Sequence, residues 1–361
     1  MAKRRGTGYG VMDSRVLCCV LVVILAIAIA AVFLFQTVNP NISCLFVSKP
    51  SGVETGSKTQ PARGQPLSPP NANIAPSHST GSSAATCDEM LLDIVRDSLT
   101  GKALRTNQIN PGPGAHLVPV PYEDGSRDAG SCWCENCVTM AGTLRVQNVR
   151  DLVRKTIQEG VPGGFLEAGT WRGGNSIMAR VVQRCMGQGD KRKVFVSDSF
   201  SGLPKPSTDS DEDIWRQMHY LEVSREEVQE NFKRFSVLDA NVEFVKGYFM
   251  HSLPPLRQRF LKDGTQLAVL RGDGDMYESY LDTLFNMYDF LPVGGYFICD
   301  DCRFIAVSDR AIKDFREMHG ITSPMLAVDG SLMGSYWRKE ASEPKVNYEW
   351  YLKWNATRKV R

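Results

Sequence analysis

Short apolar segments alternate with helix-like patterns from residue 164 onward, and this alternation restricts the fold more than any other feature of the sequence. The strand candidates are residues 164–168, 194–197, 242–245, 267–270 and 296–299. The helix candidates are residues 175–188, 225–235, 276–288 and 306–319. Such alternation is typical of a doubly wound α/β fold with a mostly parallel sheet and helices on both faces. Ligands bind such sheets beyond the carboxyl ends of the strands, so the residues after each strand form the candidate site.

The first two strand candidates lead into residues that suit an adenosine ligand. The segment FLEAGTWRGGNS contains Glu167 near the end of its strand, followed by Gly169 and Gly173. Glycines allow a tight turn and a close approach of a ligand, and the helix start that follows offers unpaired N–H groups. Asp198 ends the second strand, where an acid accepts hydrogen bonds from ribose hydroxyls. On the residues alone, a helix-capping aspartate and a surface glutamate remain alternatives.

Four aspartates follow the last two strand candidates and indicate a cation site. Asp273 and Asp275 come after the fourth strand, and Asp300 and Asp301 come directly after the fifth. Several carboxylates at one edge of a sheet are costly without a cation. Their oxygen atoms favour Mg²⁺, Ca²⁺ or Mn²⁺ over zinc. The alternative is that these acids only cap the helices that follow.

An apolar segment at residues 16–35 contains no glycine, proline or charge and predicts a membrane anchor. At about 1.5 Å per residue it spans about 30 Å, the thickness of a bilayer core. Basic residues precede it, so residues 1–15 are predicted to be a cytosolic tail and the rest lumenal. A cleavable signal peptide is the alternative. Residues 36–85 are rich in Pro, Ser and Gly and predict a flexible stalk, which leaves residues 86–361 for one α/β domain.

The cysteines outside this anchor are expected to form disulfides, because the lumen is oxidising. Cys132, Cys134 and Cys137 form a C-x-C-x-x-C pattern within an extension that reaches to about residue 138. A structural zinc site needs four ligands, and the nearest upstream cysteine is Cys87. We therefore favour disulfides over zinc, with the pairing left open. Glycosylation sequons at residues 41–43 and 355–357 agree with a secretory-pathway location.

Between about residues 139 and 339 the chain resembles the macrocin O-methyltransferase (TylF/MycF) family. The resemblance rests on six motifs in order, namely EAGTWRGG, VSDSFSGLP, EFVKGYFMHSLP, LAVLRGDGDMYES, GGYFICDDC and SYWRK. It implies a Rossmann-like class I methyltransferase fold with a seven-stranded sheet. It also implies S-adenosylmethionine and Mg²⁺ as cofactors, and a sugar hydroxyl as the acceptor.

The resemblance assigns site residues by position. The residues implied for the methyl donor are Thr139, Met140, Glu167, Gly169, Arg172, Gly173, Asp198, Ser199 and Gly247. The implied metal ligands are Asp273, Asp300 and Asp301. The expected reaction is an in-line transfer of the sulfonium methyl to a metal-held hydroxyl. Asp273 is the first candidate for the general base and His251 the second.

Two positions beside the implied metal depart from the family pattern. Gly272 stands where the family usually has a bulky aliphatic residue, and Cys302 stands where an aromatic residue is common. Either change can loosen the ligand geometry or inactivate the site. Cys299 and Cys302 flank the two acids, and we expect no disulfide between them, because a strained local bridge would distort the ligands.

The expected function is O-methylation of a sugar hydroxyl on a glycan or glycolipid in the secretory pathway, with the Golgi as the expected location. The main alternative is a type II Golgi glycosyltransferase that uses the Asp-Gly-Asp motif with Mn²⁺ and a nucleotide-sugar, but it does not explain FLEAGTWRGG or the second acid pair. A catalytically inactive lumenal binding module is a third alternative. The net charge of +2 gives nucleic-acid binding no electrostatic support. A homodimer remains open.

Overall fold

The computed structural model describes residues 87–111, 117–214, 218–331 and 333–358. The predicted tail, anchor and stalk, residues 1–15, 16–35 and 36–85, lie outside these residues and stay predictions. Within the described residues, no helix combines the length and the apolar character needed to span a membrane.

The N-terminal extension folds into two helices and a small antiparallel sheet. Its helices are α1 (Cys87–Leu99) and α2 (Asp124–Ala129), and its strands are β1 (Gln108–Pro111), β2 (Leu117–Val120) and β3 (Trp133–Cys134). The strand order is β2-β1-β3. Cys134 and Cys137 form a disulfide, which agrees with the preference for disulfides over zinc.

A seven-stranded sheet forms the centre of the domain. Its strands are β4 (Gly164–Ala168), β5 (Val194–Asp198), β6 (Val242–Lys246), β7 (Leu267–Gly272), β8 (Tyr296–Cys299), β9 (Leu326–Ala327) and β10 (Ser335–Arg338). The order is β6-β5-β4-β7-β8-β10-β9. Strands β4 to β8 pair in parallel, whereas β10 is antiparallel to both β8 and β9. The predicted mostly parallel sheet is confirmed, and each predicted strand is present within two residues of its expected end.

Helices cover both faces of this sheet. They are α3 (Gly142–Gln158), α4 (Gly174–Cys185), α5 (Arg225–Arg234), α6 (Phe249–Asp263), α7 (Tyr277–Met287), α8 (Ala306–Met318) and α9 (Tyr348–Thr357). One apolar core packs around Phe260, Phe285 and Phe315, and a second packs around Val149 and Ile177. Because both faces are buried, the central strands are continuous apolar runs rather than alternating ones.

The strand order reverses between β4 and β7, which fixes where a ligand can bind. From β4 the chain proceeds outward through β5 to β6, and then returns to add β7 and β8 on the other side. A crevice therefore opens beyond the carboxyl ends of β4 and β7. Both ends carry motifs that the sequence analysis selected.

Candidate active site

The carboxyl ends of the parallel strands surround one cavity of about 200 Å³. Seven of the predicted site residues line it, namely Met140, Gly169, Asp198, Ser199, Asp273, Asp300 and Asp301. They come from four strand ends and from the segment before α3. The sheet therefore brings residues that are far apart in sequence to one edge, as the motif positions predicted.

Gly169 allows the ends of β4 and β7 to lie against each other. Its φ is +90°, and a Cβ at this position would lie 1.6 Å from the carbonyl oxygen of Asp273. The Asp273 amide donates to the Ala168 carbonyl oxygen at 2.8 Å. A side chain at residue 169 would displace Asp273 from the cavity, so glycine is required here for two separate reasons.

We define the acid cluster as Asp273, Asp300 and Asp301, whose carboxylate oxygens lie within 4.8 Å of one another. Asp300 and Asp301 are buried, whereas the Asp273 side chain is 28% exposed. These three groups are hard oxygen ligands grouped closely enough to contact one ion. The predicted metal ligands are thus brought together.

Two buried arginines, which sequence reasoning missed, support the acid cluster. The Arg271 guanidinium donates to Glu167 at 2.7 Å, to Asp273 at 2.8 Å and also to Asp300. Arg145 donates to the other Asp300 oxygen. The position of Arg271 beside the Asp-Gly-Asp strand end could have indicated its role. Arg145 lies on α3, far from any of the motifs, so no feature of the sequence indicated its role.

Negative charge remains in excess around the acid cluster despite these arginines. Adding Glu167 and Asp275 to the acid cluster gives five carboxylates facing two guanidinium groups. Burial and the neighbouring Asp300 carboxylate raise the pKa of Asp273, and the same two causes raise the pKa of Asp275 to about 7. Burial and the Asp273 carboxylate raise the pKa of Asp301. By ligand type and by charge, the residues fit a divalent cation.

Gly272 makes room for a tyrosine that positions Asp301. The Tyr280 hydroxyl lies 2.9 Å from an Asp301 carboxylate oxygen and 3.0 Å from the Gly272 carbonyl oxygen. A Cβ at residue 272 would lie 3.1 Å from the rings of both Tyr280 and Phe297. The departure from the family pattern therefore leaves no gap, because the aromatic rings fill the space of the missing side chain.

Cys299 and Cys302 form a disulfide, so the expectation of no bridge here was wrong. The Cα atoms lie 5.7 Å apart, within the usual range for disulfides. The amides of Phe304 and Ile305 both donate to the Asp301 carbonyl oxygen, so the chain turns directly after the bridge. The bridge is compatible with the acid cluster, because the carboxylate oxygens of Asp273, Asp300 and Asp301 lie within 4.8 Å of one another in its presence.

Glu167 does not line the cavity but lies beneath it. Its carboxylate is 1% exposed and accepts hydrogen bonds from Arg271, from the Thr170 hydroxyl at 3.0 Å and from the Ser176 amide at 3.1 Å. Glu167 therefore orients Arg271 and holds the start of α4. This geometry gives it a supporting position rather than a direct contact with a ligand in the cavity.

Four other residues that were predicted to bind the methyl donor also lie outside the cavity lining. Arg172 donates to the carbonyl oxygens of Glu135 at 2.7 Å and Cys137 at 3.0 Å, and so connects the extension to the turn after β4. Gly173 precedes α4 with φ +91°, and the Gly247 amide donates to the Asp198 carbonyl oxygen. The Thr139 hydroxyl accepts from the Ala141 amide. All four hold backbone that surrounds the cavity.

Asp198 lines the cavity and also fixes the glycine-rich turn. Its carboxylate accepts from the amides of Thr170 at 2.8 Å and Phe200 at 2.9 Å. Burial raises the pKa of Asp198, although these amide bonds favour its charged form. The acid at the end of β5 is therefore held at the place where the sequence analysis expected a ribose.

The sequence matches the profile of the macrocin O-methyltransferases (TylF) over residues 85–339, which is more than half of its length. The chain belongs to the macrocin O-methyltransferase family. It is therefore an O-methyltransferase, and the glycosyltransferase interpretation was wrong. What overturns that interpretation is the match to this family over residues 85–339.

Relatives support this membership over most of their length. The chain is 38% identical over 267 residues to 8-demethyl-8-(2,3-dimethoxy-alpha-L-rhamnosyl)-tetracenomycin-C 4'-O-methyltransferase of Streptomyces olivaceus, a match that covers 71% of this chain and 95% of the relative. It is 35% identical over 234 residues to mycinamicin III 3''-O-methyltransferase of Micromonospora griseorubida, which covers 62% and 87%. The solved structure of the O-methyltransferase NovP aligns with a TM-score of 0.62 at 33% identity, over 70% of this chain and 99% of that one. The fold is thus the class I methyltransferase fold.

Aromatic side chains form a second wall of this methyltransferase cavity, and sequence reasoning missed them. Trp133 on β3 and Tyr220 have ring centroids 4.4 Å apart, and the Trp171 indole N–H donates to the Tyr220 carbonyl oxygen at 3.0 Å. All three residues line the cavity. Trp133 belongs to the extension, so this segment contributes to the site as well as to packing.

His251, the second candidate base, is exposed in the first turn of α6 and does not line the cavity. Glu278 and Ser279 at the start of α7 do line it. Of the two base candidates, only Asp273 reaches the cavity.

Proposed function

We propose that this methyltransferase transfers a methyl group from S-adenosylmethionine to a sugar hydroxyl, with Mg²⁺ held by the acid cluster. The observation that carries the proposal is the acid cluster at the edge of the cavity, in a chain of a family of O-methyltransferases. The relatives named for sugar-bearing antibiotics support the acceptor class.

The donor side of the cavity is supported by the turn after β4 and by Asp198. Gly169 leaves the backbone accessible, and Asp198 and Ser199 line the cavity where β5 ends. An acid at this strand end suits the two hydroxyls of an adenosine ribose. Met140, in the segment before α3, lines the same cavity. The methyl donor would therefore be enclosed between this segment and the ends of β4 and β5.

The acceptor side is supported by the combination of acids and aromatic rings. The apolar face of a sugar ring packs against aromatic side chains such as Trp133 and Tyr220, while its hydroxyls face polar groups. The excess carboxylates would hold Mg²⁺ through Asp273, Asp300 and Asp301. When bound, this ion would lower the pKa of a sugar hydroxyl and fix its position.

Asp273 is the group that can take the proton from the acceptor. It is the most exposed member of the acid cluster and lines the cavity. Burial and Asp300 raise the pKa of its carboxyl, and a bound Mg²⁺ would oppose this shift and favour the charged form that can accept a proton. Arg271 holds one of its oxygens at 2.8 Å and leaves the other for the acceptor or the ion.

We also propose that the domain is lumenal, which would make a glycan or glycolipid in the Golgi its acceptor. The support is the apolar segment at residues 16–35 with basic residues before it. A homodimer stays an open prediction.

The test is transfer of labelled methyl from S-adenosylmethionine to glycans and glycolipids by the full chain in detergent. We expect incorporation with Mg²⁺, loss of it with a chelator, and a loss of at least about 100-fold for Asp273→Asn. His251→Ala discriminates between the two base candidates, because only a base role for His251 would make that variant inactive. Unchanged transfer in chelator would contradict the metal part, and absence of any sugar product would contradict the acceptor class.

A further inference from the structure

The C-terminal residues after the family match contribute a buried cation to the cavity wall. Arg358 follows α9 and lies beyond residue 339, where the family match ends. Its side chain is 2% exposed, and it lines the cavity. A buried guanidinium is costly unless it is fully paired, so its partners indicate what it does.

Arg358 connects α7 to the loop that follows β5. Its guanidinium donates to Glu278 at 2.9 Å and to Asp282 at 2.6 Å, both on α7, and to the Ser207 hydroxyl at 2.7 Å. Three elements that are distant in sequence therefore meet at one side chain.

Glu278 holds the same loop independently through its carboxylate. It accepts from the backbone amides of Ser207 at 3.1 Å and Thr208 at 2.5 Å, and from both hydroxyls. Asp211, in the same loop, accepts from the amides of Tyr277 and Glu278 and so caps the start of α7. The segment 203–211 thus lies against the start of α7, which begins four residues after Asp273 of the acid cluster, and its residues Leu203 and Pro204 line the cavity.

Arg358 helps to keep Glu278 ionised. Burial raises the pKa of Glu278, whereas the hydrogen bonds from Ser207 and Thr208 and the charge of Arg358 together hold it below its usual value. Without the guanidinium the charged form of Glu278 would be less favoured. A protonated Glu278 is a weaker acceptor for the two amides of the loop. Removal of Arg358 would therefore loosen segment 203–211 in two ways. The hydrogen bond from Arg358 to Ser207 would be lost, and Glu278 would hold the loop amides less strongly.

We propose that Arg358 is a positioning residue that holds segment 203–211 in place and thereby sets the acceptor side of the cavity. The acceptor part of this inference rests on the proposed sugar methylation. Among the described residues, the hydrogen bonds and ion pairs of Arg358 include none to Gly169 or Asp198, on which the donor side is built. Loss of Arg358 should therefore weaken acceptor binding and leave donor binding unchanged.

The test compares Arg358→Met and Arg358→Lys with Lys353→Met in the full chain. Lys353 is an exposed residue of α9 that pairs with Glu349, so its variant is the matched control. Hydrogen exchange of segment 203–211 should be faster by about tenfold in Arg358→Met, and less so in Arg358→Lys. For a sugar acceptor that the wild type methylates, the KM of Arg358→Met should rise about tenfold, with a smaller effect on kcat. The affinity for S-adenosylhomocysteine, measured by calorimetry, should stay within about twofold of the wild type.

A second variant removes the connection from the loop side, in case Arg358→Met does not fold. Ser207→Ala combined with Thr208→Val deletes the two hydroxyls that Glu278 and Arg358 hold, without altering a buried charge. It should reproduce the faster exchange and the higher KM. Unchanged exchange of segment 203–211 in the folded variants would overturn the proposal, and so would a parallel loss of S-adenosylhomocysteine affinity. If the wild type methylates no sugar, the proposed function fails, whereas the exchange result still decides whether Arg358 holds the loop.

Discussion

At the scale of single residues, the site depends on backbone atoms that lie unusually close together. Gly169 has no side chain to separate β4 from Asp273, and Gly272 has none to exclude Tyr280. Arg271 then links Glu167, Asp273 and Asp300 from below. The positions of the carboxylates are thus determined by neighbours that do not bind a ligand themselves.

Gly169→Ala tests this close approach, with Gly187→Ala as its matched control. Both glycines have positive φ, at +90° and +67°, but a Cβ at Gly187 meets no atom within 4 Å. We expect Gly187→Ala to cost about 1 kcal/mol of unfolding free energy and to keep activity. Gly169→Ala should cost more and reduce methyl transfer by at least about 100-fold, because Asp273 must move. Equal effects of the two variants in denaturant unfolding and activity assays would contradict this role.

The raised pKa of Asp275 predicts that the stability of the metal-free protein depends on pH. Its pKa is raised from 3.8 to about 7, so the folded state binds this proton more tightly than the unfolded state does. The resulting stabilisation is present below about pH 4 and is lost as pH rises through about 7. Asp275→Asn, which suits the φ of +56° at this position, should therefore gain stability relative to the wild type over that range, on the order of a few kcal/mol.

The measurement is denaturant unfolding of both proteins at several pH values in chelator. The difference in unfolding free energy should shrink when Mg²⁺ is added, because a bound cation compensates the carboxylates. A difference that does not change with pH would show that Asp275 is not the group responsible.

At the scale of elements, one disulfide holds the turn after β8. Its two cysteines lie on either side of two proposed metal ligands. The Cys299–Cys302 bridge closes the turn that contains Asp300 and Asp301. Loss of the bridge would allow both carboxylates more freedom. The bridge therefore belongs to the support of the acid cluster.

Cys302→Ser should weaken Mg²⁺ binding by about tenfold, measured by calorimetry, because the ligands are less well positioned. Cys185→Ser, which leaves both disulfides intact, is the control and should bind Mg²⁺ as the wild type does. A reducing agent should give the wild type the affinity of Cys302→Ser. Identical affinities in all three proteins would show that the bridge has no role in the site.

The sequence predicted the elements whose signals are local and missed those that depend on distant partners. Apolar runs defined β4 to β8, and the acids at their ends followed from position along each strand. Helix α6 was missed because Pro254 and Pro255 lie inside it and indicate a break. Arg145 and Asp300 are 155 residues apart, and Arg358 and Glu278 are 80 apart, so no local pattern could pair them.

At the scale of the whole molecule, the predicted topology places the methyltransferase domain in the lumen. Sealed microsomes that contain the chain with a C-terminal tag should protect the tag from protease, since the positive residues before the apolar segment favour a cytosolic N-terminus. Detergent should abolish the protection. A tag that is digested in sealed microsomes would place the domain in the cytosol and change the expected acceptor to a small metabolite.

The central claim is that the acid cluster holds a divalent cation beside the methyl donor. It is tested most directly by a crystal structure of the protein with Mn²⁺ and S-adenosylhomocysteine, using the anomalous signal of the metal. We predict a peak in coordinating distance of Asp273, Asp300 and Asp301, next to the sulfur of the bound product. A map with the product in place, no peak, and the three carboxylates held by Arg145, Arg271 and Tyr280 alone would contradict it.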